Sequence, residues 1–164
     1  MNQQLLEEVV DVSGAGDRFI ELYAGVGNFT IHLAKSHERG LVAESSPKAK
    51  PFTGRNLEEA SSTSEVEVVT ATDAEIVDRL ISEPRADLFL ADPPRAGMKP
   101  LTPFFAANPP NRVVLVSCHP MAALRDIRTL LDQDIGYELK RVTPFDLFPQ
   151  TPHLEIVAVL DRQK

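Results

Sequence analysis

The stretch RFIELYAGVGNFTIHLA, residues 18–34, changes rhythm twice along its length. Arg18 to Tyr23 is a compact apolar run interrupted by one carboxylate, Glu21; Ala24-Gly25-Val26-Gly27-Asn28 is a tight glycine turn; Phe29 to Ala34 has helical spacing. Strand, turn and helix in that order open an α/β unit. Gly25 and Gly27 allow backbone to approach a ligand closely and leave a helix N-terminus facing it. A glycine turn of this size is equally common as a purely structural device. Asn28 and Thr30 follow Gly27 with no third glycine in register, which favours a nucleoside ligand over a pyrophosphate-bridged dinucleotide.

Working outward, the same unit recurs in shape. Gly40 to Glu44 reads as a second strand ending in a carboxylate, and a helix weakened by Pro51 and Gly54 extends to Ala60. Glu65 to Thr70 is a β-branched third strand, after which Asp73 is placed to cap a helix carrying Ile76, Val77, Leu80 and Ile81. Asp87 to Ala91 is a fourth strand, stopped by Asp92-Pro93-Pro94 because proline cannot donate to a ladder. Met98 to Arg112, with its prolines and Phe104-Phe105, suits a lid, a short helix or a packed connection. Asn111 to Ser117 is a fifth strand and Pro120 to Leu131 a helix with proline in its first turn. Tyr137 to Phe148 and His153 to Leu160 are strand-like runs whose link is too short for a helical crossover, so an antiparallel hairpin is expected. The whole predicts one α/β domain over residues 1–164: an open, mostly parallel sheet with helices on both faces and one reversed strand.

The composition agrees with one globular domain and excludes several classes. The chain has 164 residues, 43% of them apolar, and a single cysteine, Cys118, so an internal disulfide scaffold is ruled out. A reducing cytoplasm is the expected setting. The N-terminus lacks a basic start and a continuous apolar run, and no stretch approaches the roughly 20 apolar residues of a membrane span. The formal charge of −7 argues against a general phosphate-binding surface. That acidity is uneven: residues 1–94 carry 8 basic and 17 acidic side chains, residues 95–164 carry 9 and 7. Polyanion contact is therefore expected in the second half.

Ligands of open α/β sheets bind beyond the carboxyl ends of the strands, where the chemically suggestive residues of this chain all fall. Glu44 stands at the end of the second strand, about 17 residues past Gly27, suited to two ribose hydroxyls or to a helix cap. Asp73 suits an adenine amino group as well as it suits capping. Asp92-Pro93-Pro94-Arg95-Ala96-Gly97 combines a strand-end carboxylate, two residues of fixed φ and a guanidinium, an arrangement able to hold a base against a cofactor. An Asp92–Arg95 ion pair stabilising a turn is the plainer reading. Ser117-Cys118-His119-Pro120 sets a thiol between a strand end and a helix N-terminus, a setting that favours a nucleophilic thiolate, although an inert core cysteine is common in such places. In Phe148-Pro149-Gln150-Thr151-Pro152-His153-Leu154-Glu155, the alternation of a strand puts His153 and Glu155 on one side, with a carboxylate able to collect a proton. Four scattered histidines and one cysteine supply no tetrahedral spacing, so no metal site is expected.

Four blocks in order, ELYAGVGNFT at 21–30, DPPRAG at 92–97, SCHP at 117–120 and FPQTPHLE at 148–155, resemble the catalytic domain of the RNA 5-methyluridine methyltransferases. The resemblance covers nearly the whole chain. It implies the class I S-adenosylmethionine-dependent methyltransferase fold, with that sulfonium as cofactor. Glu21, Tyr23, Gly25, Gly27, Asn28, Phe29, Glu44, Asp73 and Asp92 would hold the donor. Asp92 and Arg95 would orient a uracil, Cys118 would add to its C6, and Glu155 would remove the C5 proton after methyl transfer. A ribosomal or transfer RNA is the implied partner, its target base flipped from any helix.

The chain departs from the family pattern at two places. His119 stands where relatives carry asparagine, and Asn2 matches the end of a family segment whose active-site glutamine has no counterpart here. The resemblance also implies that an RNA-binding barrel domain and a connecting domain, present before this region in relatives, are lacking. A shortened chain, a split enzyme served by a partner, and a stand-alone domain of altered activity all agree with that. A methyltransferase with another acceptor, or a non-catalytic donor-binding subunit of an RNA-modifying assembly, would need Gly25, Gly27 and Glu44 but neither Cys118 nor the HLE block.

Overall fold

The computed structural model describes residues 2–98, 101–147, 149–151 and 154–163. Its elements run α1 (Gln3–Ser13), β1 (Gly16–Leu22), α2 (Thr30–Leu33), β2 (His37–Glu44), α3 (Lys50–Glu59), β3 (Glu65–Thr70) and α4 (Asp73–Ser82). They continue with β4 (Leu88–Ala91), α5 (Thr102–Ala107), β5 (Arg112–Ser117), α6 (Pro120–Leu131), β6 (Tyr137–Phe145) and β7 (Glu155–Arg162). One sheet has the order β3-β2-β1-β4-β5-β7-β6. β1 to β5 pair in parallel, while β7 runs antiparallel to both β5 and β6 and is the reversed strand. This is the expected mostly parallel sheet with its C-terminal hairpin.

The central strands are buried on both faces, so alternate residues feed two cores. Phe19, Leu88, Leu90, Val114, Val116, Val157 and Val159 meet Leu5, Val9 and Val12 of α1 and Phe29 and Leu33 beside the glycine turn. Ile20, Leu22, Phe89, Val113 and Leu115 meet Ile76 and Leu80 of α4, Phe104 and Phe105 of α5, and Ile127 and Leu130 of α6. Phe105 lies edge-on to Phe89, with ring centroids 5.1 Å apart. The proline-rich segment thus contains a packed short helix, with no lid among its described residues.

Several elements differ from the sequence expectation. α1 has no counterpart in it: Asn2 caps the helix, its side-chain oxygen accepting from Gln4 N at 2.9 Å and Leu5 N at 3.3 Å, and Leu5, Val9 and Val12 form its buried stripe. α4 is capped by Thr72, not by Asp73, because Thr72 has the extended backbone of an N-cap and exchanges bonds with Glu75 in a capping box. α3 accommodates Pro51 in its first turn, where the missing N–H costs no bond, and Gly54 as well. α2 is a single turn. β6 ends at Phe145 and β7 begins at Glu155; Phe148 and His153, named in the sequence reading, lie outside the described residues.

Candidate active site

The glycine turn leaves β1 with Tyr23 at φ 61°, Gly25 at 56° and Gly27 at 85°. A side chain at Gly27 would press on Thr53, whereas the space beside Gly25 is open. The turn is held from the second strand: Gly25 N donates to Glu44 Oε2 at 3.0 Å, and Ser46 N donates to Glu44 Oε1 at 2.8 Å. It is held from the third by Tyr23, whose hydroxyl donates to Asp73 Oδ2 at 2.7 Å. Beneath it, the buried Glu21 accepts from the Thr30 hydroxyl at 2.7 Å through Oε2, while Oε1 has no hydrogen-bond partner. Burial pushes the Glu21 carboxyl up to about 8 against the pull of the Thr30 bond, and the negative charge of Asp92 adds to the rise.

A cavity of about 760 Å³ opens beyond the carboxyl ends of the strands, with Tyr23, Glu44, Asp73, Asp92, Met98 and Phe105 in its wall. The sequence-predicted Tyr23, Glu44, Asp73 and Asp92 are thus brought together. Phe29 is not among them, because its ring packs into the core against α1. Its claim on a ligand is confined to the turn backbone, and the exposed Asn28 also lies outside the cavity wall.

Three adjacent strands assemble the reactive groups. Ala91 pairs with Leu115, so Asp92 emerges beside the end of β5. Ser117 pairs antiparallel with Ile156, and the next residues beyond that last pair are the half-buried Cys118 on one strand and Glu155 on the other. Cys118 sits in a braced turn: Ser117 Oγ accepts from His119 N at 3.2 Å, and the His119 ring caps α6 by accepting from Ala122 N at Nδ1, also at 3.2 Å. Asp92 is exposed and lies on the concave wall of the cavity, where neighbouring atoms partly desolvate its carboxyl. That desolvation, with the charge of Glu155 behind it, pushes its carboxyl up to about 7. Burial also raises Glu155 above the usual carboxylate range.

The alternative of an Asp92–Arg95 ion pair is not realised: Arg95 is exposed and bonded to no described residue. The loop is ordered from elsewhere. Arg125 Nη2 donates to Ala96 O at 2.6 Å, the buried Asp126 accepts from Met98 N at 2.8 Å, and the two side chains pair at 2.8 Å. Gly97, at φ 81°, lies so close that any side chain there would collide with both. Sequence reasoning missed Arg125 and Asp126, since no local signal in α6 reveals a clamp on a loop 28 residues away. Thr30, as the partner of Glu21, was missed for the same reason.

An open α/β sheet with a reversed last strand, a glycine turn after β1 and acidic residues ending β1 and β2 define the class I S-adenosylmethionine-dependent methyltransferase fold. M. capricolum TrmK shares the fold with a TM-score of 0.72 at 12% identity, over 100% of this chain and 70% of its own. The model of the tRNA (Uracil-5-)-methyltransferase family matches residues 1–163, and the chain belongs to that family. The tRNA (uracil(54)-C(5))-methyltransferase of Pyrococcus abyssi is 34% identical over 88% of this chain and 33% of its own length. The 23S rRNA (uracil(1939)-C(5))-methyltransferase RlmD of Shewanella piezotolerans is 31% identical over 100% and 37%. A crystal structure of the P. abyssi enzyme with S-adenosyl-L-homocysteine superposes with a TM-score of 0.78 at 33% identity, covering 96% of this chain and 37% of that one. The chain spans well under half the length of these relatives.

Proposed function

We propose that this chain is the catalytic domain of an S-adenosylmethionine-dependent RNA methyltransferase acting on C5 of uridine in a transfer or ribosomal RNA. The observation that supports the reading is the strand order β4-β5-β7, which sets Asp92 on the cavity wall and leaves Cys118 and Glu155 at the adjoining ends of β5 and β7. A methyltransferase with a different acceptor needs the cavity but not that trio.

The residues present fit the donor. Glu44 and Asp73 are the carboxylates for ribose hydroxyls and an adenine amino group, the open face of Gly25 admits close approach, and the partnerless Glu21 oxygen lies beneath the turn. When bound, S-adenosylmethionine supplies a methyl group activated on a sulfonium.

In this reading the protein's own residues act in turn. Asp92 and the uncommitted Arg95 hold the uracil edge. Cys118 Sγ bonds to C6, and the C5–C6 π pair moves out to give enolate character, which makes C5 nucleophilic enough to take the methyl. Ionised Glu155 then accepts the C5 proton, the C5–C6 double bond re-forms, and Sγ leaves as thiolate. With an overall charge of −7, bulk attraction for RNA is weak, and a separate RNA-binding domain or subunit accounts for recruitment.

The test is incubation of the protein with S-adenosylmethionine and 5-fluorouridine RNA, followed by mass measurement. A covalent adduct on Cys118 is expected, absent in Cys118→Ala although that variant keeps its fold and its affinity for S-adenosylhomocysteine. Bound donor with no adduct on the parent protein would reject uracil C5 chemistry.

A further inference from the structure

The first half of the chain is acidic, yet Ser45 to Arg55 contains Lys48, Lys50 and Arg55 and no acidic residue. All three cations are exposed, and none forms an ion pair among the described residues. Lys48, Phe52 and Arg55 follow the i, i+4, i+7 spacing of one helix face, since the turn before α3 is already helically bonded from Ser46 onward. Lys50 lies off this face, and its charge helps hold Glu67 below the usual carboxylate range.

Phe52, between the two cations, is 52% exposed, and Val26 on the glycine turn is 40% exposed. The helix is fastened to that turn: Asn56 Nδ2 donates to Val26 O at 2.8 Å, and the Thr53 hydroxyl donates to Gly25 O at 3.2 Å. The strip therefore stands on the rim of the carboxyl-end face, next to the turn that borders the candidate active site. A buried aromatic needs no further explanation, whereas a half-exposed ring flanked by two unpaired cations has the chemistry of a stacking platform for single-stranded nucleic acid. From Lys48 to Arg55 the helix rises about 10 Å, which suits neighbouring phosphates of one strand with a base between them.

We propose that Lys48, Phe52 and Arg55 form an RNA-binding strip, which stacks one unpaired base on Phe52 and holds flanking phosphates of the substrate strand. The proposal rests on the RNA-directed reading above for its choice of polyanion. It adds a polyanion contact in the first half to the one expected in the second, because Lys48 and Arg55 are exposed and form no ion pair among the described residues.

The experiment measures fluorescence anisotropy of labelled oligouridine on the full chain across a salt series. The Lys48→Ala/Arg55→Ala double variant is expected to lower the slope of log affinity against log salt by about 1.4, from two phosphate contacts at about 0.7 each. Phe52→Ala is expected to weaken binding about tenfold, with Phe52→Tyr restoring it. S-adenosylhomocysteine affinity stays at the parent value in every variant. Parent-like RNA affinity in either the double variant or Phe52→Ala overturns the strip, as does equal displacement of the RNA by polyglutamate, which would mark a dock for acidic protein. Cys118 trapping by saturating 5-fluorouridine RNA separates the two readings. If the parent forms no adduct, the uracil chemistry fails, while the anisotropy result still decides the strip.

Discussion

The Tyr23 hydroxyl donates to Asp73 Oδ2 at 2.7 Å, across 50 positions of sequence, and so ties the glycine turn of β1 to the first turn of α4 over the donor cavity. The bond engages one oxygen of Asp73, while its other oxygen accepts from Ala74 N at 3.1 Å and Thr72 makes the N-cap of α4. Tyr23→Phe removes the donor alone. The expected result is a stability loss of about 1 kcal/mol with a several-fold weaker S-adenosylhomocysteine affinity by calorimetry. Unchanged affinity would remove Asp73 from the donor site.

The loop bearing Asp92 and Arg95 depends on a clamp from α6. Asp126→Ala leaves the Met98 N–H without its acceptor and Arg125 without its partner, and is expected to cost about 2 to 3 kcal/mol in denaturant unfolding. The rate of Cys118 adduct formation should fall further than donor affinity if, as proposed, the loop orients the base. Asp126→Asn, which keeps an acceptor for Met98 N–H, should recover most of the stability. Equal loss of donor affinity and adduct rate would show the clamp to be structural only.

Glu21 has its native carboxyl raised from 4.5 to about 8, so the folded state holds a proton that the unfolded state releases. Stability from this group is therefore complete below about 4.5 and is lost as pH rises through about 8, by on the order of 5 kcal/mol. Glu21→Gln cannot ionise. Thermal melts should show this variant gaining on the parent between pH 5 and pH 8; a constant difference across that window would mean that Glu21 is ionised in the native protein.

In the proposed reaction Glu155 must be ionised to accept the C5 proton, and burial raises it above the ordinary carboxylate range. Turnover is thus expected to climb with pH from the acid side, whereas Glu155→Gln should form the adduct and fail to release it. Loss of the Glu155 charge also removes one cause of the raised Asp92 carboxyl, leaving desolvation. Adduct mass followed in time across pH reads both effects. Prompt product release by Glu155→Gln would assign proton removal elsewhere.

His119, where the family pattern implied by the sequence resemblance has asparagine, accepts from Ala122 N to cap α6 directly after Cys118. His119→Asn should keep the cap and the rate of adduct formation. His119→Ala is expected to lose about 1 kcal/mol of stability and to slow the adduct without changing donor affinity. Equal adduct rates in all three proteins would show the turn to be held by Ser117 alone.

The sheet was legible in residues because each strand carries its own apolar run and each is stopped by a turn signal, as in Asp92-Pro93-Pro94 after β4. Cys118 and Glu44 were legible because strand ends are marked locally. α1 escaped because Leu5, Val9 and Val12 acquire meaning only against the sheet face that they cover, and Thr72 lost to Asp73 because adjacent polar residues are equivalent caps until backbone angles separate them. Phe29 looks like part of the ligand turn in sequence, yet its ring enters the core.

Local chemistry alone determined that this chain builds strands ending in glycine, carboxylate and thiol groups, since period and turn residues act over a few positions. Only the tertiary structure decided which of those groups meet. Strand order and register set Asp92, Cys118 and Glu155 at the ends of three neighbouring strands, leave Arg95 without the ion pair that proximity in sequence offered as an alternative, and recruit Arg125 and Asp126 to the loop. Fastening α3 to the glycine turn likewise sets its cations beside the site. The reason is physical: hydrogen bonds and charges act over a few ångströms, and the residues that share such distances here are separated by tens of positions along the chain.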